Sequence, residues 1–286
     1  MVVARENGLL RSIDRYRLLF AGIAIVLVVS LFGLVGSVFV PRGMADVGAA
    51  RVSQPPSAAD PLGTDQQGRD VLADMIYGTP ASLEVGLIAG VIGVTIGALM
   101  GMIGGYAGGI VDEVIRVLID VLLTIPSLMI LIIVASMVGV VSIESMALII
   151  AALAWMWPAR TIRAQVLTIR ERMYVQVAKL NGASPLKIIG TELLPNLMPY
   201  IAANLVGAVS GAILASVGLS TLGLGPMTSP SLGLTIYWAI HYGALIRKLW
   251  WWFMPPIVII VILFLGLFMV SQGLDRIANP RLQTKV

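Results

Sequence analysis

Long uncharged apolar runs alternate with short polar segments along this chain. A helix needs about 20 apolar residues to cross the hydrocarbon core of a bilayer. Six runs satisfy this requirement, at roughly 18–40, 85–107, 117–141, 143–163, 199–224 and 253–274. Pro126 is expected to kink the third run. The pattern predicts an all-α integral membrane protein whose six transmembrane helices form one bundle.

Two apolar segments need separate interpretation. The first run, after Arg17, is longer than the core of a signal peptide and no cleavage site follows it, which predicts a retained anchor. Residues 226–246 are also apolar, but Pro226, Pro230 and Gly233 argue against a regular spanning helix. We expect this segment to dip into the membrane or to line a protein surface.

Composition supports a membrane protein and orients it. The chain has 286 residues, of which 58% are hydrophobic and 12% charged, and its net charge is +4. With six spans and a cytoplasmic N-terminus, 14 of the 19 Lys and Arg residues fall inside and 5 outside. This asymmetry predicts that both termini are cytoplasmic. The basic balance is therefore interpreted as a topology signal, and no nucleic-acid partner is expected.

The residue inventory excludes most enzymatic chemistry. There is no cysteine, His241 is the only histidine, and no Gly-Lys dipeptide exists to form a nucleotide-binding P-loop. We therefore expect no cofactor or metal site in this chain. An intramembrane enzyme is disfavoured, although an aspartyl type that uses Asp120 stays open.

Several local patterns have a structural interpretation. Glycines recur at mostly four-residue steps from Gly86 to Gly109, which predicts a helix face for close packing. Thr64 and Gln67 have the spacing of a capping box that starts the second span. The aromatic residues of 250-WWWF-253 are typical of a membrane-interface belt. Asp112, Arg116 and Asp120 share a helix face, which predicts a structural ion pair between Arg116 and Asp120, with an ion-coupling site as the alternative.

The segment 174-YVQVAKLNGASPLKIIGTELLPN-196 interrupts the apolar pattern in the longest cytoplasmic connection. Asn181-Gly182 suits a left-handed helix end, and Ser184 before Pro185 suits the start of another helix. The segment predicts two short helices joined at an elbow. Its apolar residues leave the elbow partly hydrophobic in water, so it needs either a partner groove or its own bundle to cover it.

This elbow resembles the EAA loop of permease subunits of ABC importers. Gln176-Val177-Ala178 stands at the E-A-A positions, Gly182 at the glycine, and Leu194-Pro195-Asn196 within the ending. The segments 60–78, 104–128, 219–225 and 279–282 are similar to those of C-type permeases of dipeptide and oligopeptide importers. Gln176 and Ser216 replace family glutamates, and Pro230-Ser231-Leu232-Gly233 lacks the usual tryptophan.

The resemblance implies a type I ABC importer permease in the cytoplasmic membrane of a prokaryote. It implies a homologous B-type permease, two ATP-binding subunits that carry ATP and magnesium, and an external substrate-binding protein as partners. The elbow would be the coupling helix. Its contacts to an ATP-binding subunit would come from Tyr174, Gln176, Val177, Ala178, Leu180, Gly182, Ala183 and Ser184, and the loop would end at Leu194, Pro195 and Asn196.

The expected organisation and function follow from this resemblance. Residues 1–80 would form an N-terminal cytoplasmic segment, the first helix and an outer loop, and residues 81–286 a five-helix permease core with the coupling loop at 174–196. The chain would translocate dipeptides or oligopeptides by alternating access. Family members also carry oligosaccharides or nickel complexes, so these solutes stay open. A secondary transporter or channel that works without ATP is the alternative from another class.

Overall fold

The computed structural model describes residues 3–139 and 141–278, and within them the secondary structure is helical apart from one isolated bridge between Thr64 and Asp70. This confirms the all-α fold. The predicted tail motif at 279–282 lies outside the described residues. The α-helices are α1 (Val3–Phe39), α2 (Val71–Ala107), α3 (Gly109–Thr124), α4 (Ser127–Val138), α5 (Ile143–Ala154), α6 (Met156–Ile169), α7 (Met173–Leu180), α8 (Pro185–Ile188), α9 (Leu194–Thr221), α10 (Leu232–His241) and α11 (Trp250–Ala278).

Five stretches of the described chain are long and apolar enough to cross a membrane. They are Tyr16–Phe39, Val71–Ala107, Ile143–Ile169, Pro185–Thr221 and Trp250–Arg276. The pair α3 and α4 makes a sixth if it is one span, bent by 80°. The bend lies at Ile125-Pro126, where proline removes a backbone donor and restricts the preceding residue. The kink predicted at Pro126 is confirmed.

The second span begins earlier than its hydropathy predicts. α2 starts at Val71 rather than near residue 85, so the division placed at residue 80 falls inside this helix. Asp70 is its N-cap and accepts a hydrogen bond from the Ala73 amide at 2.8 Å. The capping box predicted at Thr64 is wrong, because the buried Thr64 hydroxyl donates to the Arg51 carbonyl and accepts from the Gln54 amide.

The glycine face of α2 packs against α6 and α9, as predicted. A side-chain carbon added at Gly90 would lie 2.6 Å from the Val209 side chain of α9. One added at Gly97 would lie 2.6 Å from the Trp155 carbonyl beside α6. Such distances leave no room for a methyl group, so these glycines let the helix backbones approach closely. α2 is therefore the central helix of the bundle.

Helices α1, α2, α9 and α11 and the consecutive pair α5–α6 connect two ends of the bundle, and each end has its own polar segment. The loop end carries the connection 41–70 and the helix α10. The elbow end carries α7 and α8, beside the junction of α2 and α3 at Gly108. The segment 226–246 forms no regular spanning helix, as expected. It contains α10, whose first amide, Leu232, donates to the Ser82 hydroxyl of α2 at 3.2 Å.

The aromatic residues near the loop end divide into two groups. Trp252 is fully buried and stacks against Tyr242, with 6.1 Å between ring centroids. Trp250 is exposed. Only part of the predicted aromatic belt therefore faces outward, because Trp252 packs inside the joint between α10, α11 and the start of α2.

Candidate coupling site

The elbow is built by a defined helix ending followed by a defined helix start. Gly182 has a φ of +74°, and its amide donates to the Lys179 carbonyl at 3.0 Å. The Ala183 amide donates to the Ala178 carbonyl at 3.1 Å. This pair of bonds is the Schellman motif, which ends α7. Ser184 then caps α8 by accepting from the Lys187 amide, as predicted.

The inner side of the elbow anchors it to the bundle. Val175 is fully buried in a cluster with residues of α2, α6 and α9, and Ala178 and Ala183 pack against the same cluster. The Gln176 side-chain amide donates to the Arg170 carbonyl at 3.1 Å. The Lys179 ammonium lies 5.4 Å from the ring centroid of Tyr106, within range of a cation–π interaction. These contacts hold α7 at one angle.

The outer side of the elbow is apolar and exposed. Leu180 is 87% exposed and Leu186 is 83% exposed. Met173, Val177 and Leu180 have the i, i+4, i+7 spacing of one helix face. We call the exposed set the docking stripe, and it consists of Met173, Tyr174, Val177, Leu180 and Leu186. A hydrophobic face held rigidly away from its own core is the kind of surface that fits a partner groove.

The predicted contact residues divide between the two sides. Tyr174, Val177 and Leu180 belong to the docking stripe, and Gly182 and Ser184 lie exposed at the turn. Gln176, Ala178 and Ala183 are half-buried against the bundle, where they help to anchor the elbow, and their contacts with an ATP-binding subunit stay a prediction. The physical reason is helix geometry, since residues 175 and 178–179 face the bundle when 173, 177 and 180 face away.

The structure adds Met173 and Leu186 to the predicted set. Helical spacing from Val177 would have identified Met173, whereas no sequence pattern would have identified Leu186. The loop ending forms the first residues of α9, directly after a π-helical turn at Ile189–Leu193. Leu194 is half-buried there, and Pro195 and Asn196 are exposed. The Asn196 side chain donates to the Glu192 carbonyl at 2.7 Å.

The predicted ion pair between Arg116 and Asp120 is wrong. Arg116 contacts Glu113 at 3.4 Å on its own helix. Arg163 of α6 forms a bidentate ion pair with Asp112, at 2.5 Å from Nε to Oδ1 and 2.6 Å from Nη2 to Oδ2. Packing of α3 against α6 makes this interhelical fork possible, and a planar guanidinium favours such bidentate contacts. The tertiary contact therefore decides which carboxylate is paired.

A cavity of about 580 Å³ lies between α3–α4, α5–α6, α9 and α11. Most of its lining is apolar. Its polar side chains are Ser127, Thr161, Asn204, Ser271 and Asp275. The Thr161 hydroxyl and the Asn204 side-chain carbonyl share a hydrogen bond of 2.8 Å.

The α9 wall of this cavity is open. Gly207 and Gly211 line it, and side chains added at these glycines would meet no atom within 4 Å. Packing within this subunit therefore does not require glycine at either position. Among the described residues, no group of three or more His, Cys, Asp or Glu side chains is arranged to hold a metal ion.

Comparisons with known proteins agree with this architecture. Residues 93–284 match the family of binding-protein-dependent transport system inner membrane components. The chain belongs to this family. As a member of the binding-protein-dependent family, it is a multi-pass membrane subunit of a transport system and has the permease fold. It resembles the dipeptide transport system permease protein DppC of Bacillus subtilis, at 30% identity over 218 residues, covering 75% of this chain and 67% of DppC.

One further relative and one solved structure are also similar to this chain. The oligopeptide transport system permease protein OppC of Lactococcus lactis is 32% identical over 225 residues, covering 78% of this chain and 76% of OppC. The solved structure of the MetNI methionine ABC transporter, in inward facing conformations, has a chain with a TM-score of 0.56 and 19% identity. That match covers 73% of this chain and 95% of the other, and it supports the fold alone.

Proposed function

We propose that this chain is the C-type permease of an ATP-driven importer that carries dipeptides or oligopeptides into the cell. The names of the relatives DppC and OppC support peptides as the solute. Alternating access between the two membrane faces would move the solute through the bundle. Family likeness alone also admits oligosaccharides or nickel complexes, and solute titration of the co-encoded binding protein separates these classes.

The docking stripe is the observation that carries this proposal. Its five side chains are hydrophobic and exposed, and they sit on an elbow that is anchored by Val175 and Gln176. Four of them lie outside the candidate membrane spans, and Leu186 lies at the very start of the stretch Pro185–Thr221. A groove on an ATP-binding subunit would cover the stripe and transmit motion through α7 to the bundle. In this assembly the elbow end is cytoplasmic, both termini are cytoplasmic, and the loop end faces the external binding protein.

The full assembly has one copy of this chain, one homologous B-type permease and two ATP-binding subunits. ATP and magnesium bind to the partner subunits. The cavity between α3–α4, α9 and α11 lies on the solute path, because its α9 wall is open and its polar groups are few. A second permease would supply the rest of the passage.

Co-expression and reconstitution test this proposal. The purified chain alone is expected to show no ATPase activity, and the four-subunit complex with its binding protein is expected to take up peptide into liposomes only with ATP. Solute uptake by this chain in liposomes that contain no ATP-binding subunit would refute the assembly.

Cysteine labelling tests the orientation, because the natural chain has no cysteine. A cysteine at Ser57 in the loop end is expected to react with a membrane-impermeant reagent from outside, and one at Ser184 from the cytoplasm. The opposite pattern at both positions would invert the proposed topology.

A further inference from the structure

A second pocket, of about 200 Å³, lies between α3 and α6 and is charged. It is lined by Arg116, Ile119, Asp120, Arg160 and Arg163. Asp112 binds Arg163, and Glu113 contacts Arg116, so two of the three arginines already have acidic partners. No hydrogen bond or ion pair joins Asp120 or Arg160 to another side chain within 3–139 and 141–278. Asp120 is nevertheless close enough to Arg163 to act on its charge.

This pocket lies toward the elbow end of α3 and α6. Asp120 is eleven residues along α3 from Gly109, which corresponds to about 17 Å of helix at 1.5 Å per residue. Arg160 precedes the end of α6 at Ile169 by nine residues, or about 14 Å. Both side chains are exposed on this subunit.

The charged pocket continues the larger cavity toward the elbow end. On α3, Arg116, Asp120 and Leu123 follow steps of four and three residues, and Leu123 lines the larger cavity. On α6, Trp157 and Thr161 line the larger cavity, whereas Arg160 and Arg163 line the charged pocket. The two pockets share no lining residue, but α3 and α6 border both of them, and we call the space along these two helices the groove.

We propose that this groove is filled with water in the assembled transporter and that Asp120 and Arg160 bind the charged ends of a passing peptide. Asp120 accepts hydrogen bonds from the terminal ammonium, and Arg160 donates to the terminal carboxylate, with Arg116 beside it. The inference rests on the proposed import function and names the solute class within it. An acid and a base that have no hydrogen-bonded side-chain partner on this subunit suit the two ends of a zwitterion, whereas an uncharged sugar would bring no opposite charge to either of them.

Thiol reactivity in the assembled complex tests the groove directly. Leu123→Cys reports on the groove one helical turn from Asp120, and Leu265→Cys on the exposed apolar face of α11 is the matched control. Leu123→Cys is expected to react with both a cationic and an anionic methanethiosulfonate reagent, and Leu265→Cys with neither. Adding Asp120→Asn is expected to raise the anionic-to-cationic rate ratio about fivefold, and adding Arg160→Gln to lower it by a similar factor.

Controls for charge come from the loop end, where Asp46→Asn and Arg42→Gln remove exposed charges far from the groove. These variants are expected to leave the rate ratio at Leu123→Cys unchanged. If Leu123→Cys reacts with neither reagent, lipid or another subunit fills the groove and the inference is overturned. A rate ratio that ignores both Asp120→Asn and Arg160→Gln overturns it as well.

Uptake of trialanine by the reconstituted complex, with its binding protein and ATP, tests the charged ends. Asp120→Asn and Arg160→Gln are each expected to lower uptake about tenfold while the subunits still copurify, and Arg160→Lys to restore most of it. Uptake unaffected by both neutral variants overturns the inference and leaves the import function standing. If the wild-type complex takes up no peptide, the proposed function fails instead, and the thiol reactions still report whether the groove is wet.

Discussion

The segments at the two ends of the bundle differ in which side chains they bury and which they expose. At the loop end, residues 41–70 fold into a hydrogen-bonded cover in which Asp65 is 1% exposed and accepts bonds from the Gln67 and Arg69 amides. At the elbow end, α7 presents Leu180 almost fully to solvent. Buried polar side chains thus characterise the loop end, and a rigidly anchored hydrophobic face characterises the elbow end.

This contrast suggests that substitutions at one end affect the stability of the fold, whereas substitutions at the other affect docking to a partner. The loop end buries polar side chains such as Thr64, Asp65 and Asp70 within the chain, so changes at these residues act on the free energy of folding. The elbow end leaves its docking stripe uncovered, so changes there act on association with a partner. Substitutions of similar chemistry at the two ends should therefore have different consequences, and the following experiments compare them.

The largest effect is expected from a charge in the docking stripe. Leu180→Asp places a carboxylate on a fully exposed position, so the isolated chain is expected to fold normally. In a partner groove the same carboxylate loses water without gaining a partner, and affinity for the ATP-binding subunit is expected to fall about a hundredfold. Pull-down and ATP-dependent uptake measure the loss. Val47→Asp, an exposed apolar position at the loop end, is the matched control and is expected to leave docking unchanged.

A smaller effect is expected at Gly182. A β-branched residue adopts positive φ at a cost of about 1–3 kcal/mol, so Gly182→Val should re-aim the docking stripe. Docking is expected to weaken about tenfold with normal membrane insertion. Gly182→Asn is the control, because asparagine tolerates this conformation and no atom lies within 4 Å of an added side-chain carbon. Equal docking of Gly182→Val and wild type would show that the angle of the elbow does not matter.

A substitution of Asp70 at the loop end is expected to change stability and to leave docking to the ATP-binding subunit unchanged. Asp70→Ala removes the cap on α2 and is expected to lower the free energy of local opening at residues 71–75 by about 1 kcal/mol. Asp70→Asn keeps an acceptor oxygen and should lose less. Hydrogen exchange measures the opening, and binding of the ATP-binding subunit is expected to stay at the wild-type level. Weakened docking in Asp70→Ala would contradict the separation of the two ends.

The smallest effect concerns pH. Burial raises the pKa of Asp65 above its ordinary value, against opposing hydrogen bonds from Arg69 and Gln67. The folded state therefore binds this proton more tightly than the unfolded state, and the contribution of Asp65 to stability increases as pH falls from 7 toward 4. Asp65→Asn keeps the acceptor but does not titrate. Its local opening around residues 63–70 is expected to depend less on pH than that of wild type, by a few tenths of a kcal/mol.

An identical pH slope in Asp65→Asn and wild type would show that Asp65 does not contribute. Exchange at residues 173–180 supplies the internal control in the same samples. Residues 173–180 contain no Asp or Glu, so their exchange is expected to show no matching change with pH.

Much of the fold could be predicted from the sequence alone, but the exact ends of the helices could not. Hydropathy located the spans and Pro126 marked the bend, because both depend on local composition. The start of α2 was missed by fourteen residues, because Asp70, Thr79 and Pro80 lower the apparent hydropathy while the folded chain caps or packs them. The Schellman ending at Gly182 was predictable, because only short-range bonds form it.

By itself the sequence determined a six-run helical membrane protein, a capped elbow and a glycine face for close packing. Only tertiary structure decided that Arg163 rather than Arg116 pairs across helices, that Ala178 faces inward, and that Asp120 and Arg160 share an open groove. The reason is the range of the interactions. Helix caps, turns and apolar periodicity depend on neighbours within about four residues, whereas ion pairs and cavities depend on the angle at which separate helices pack.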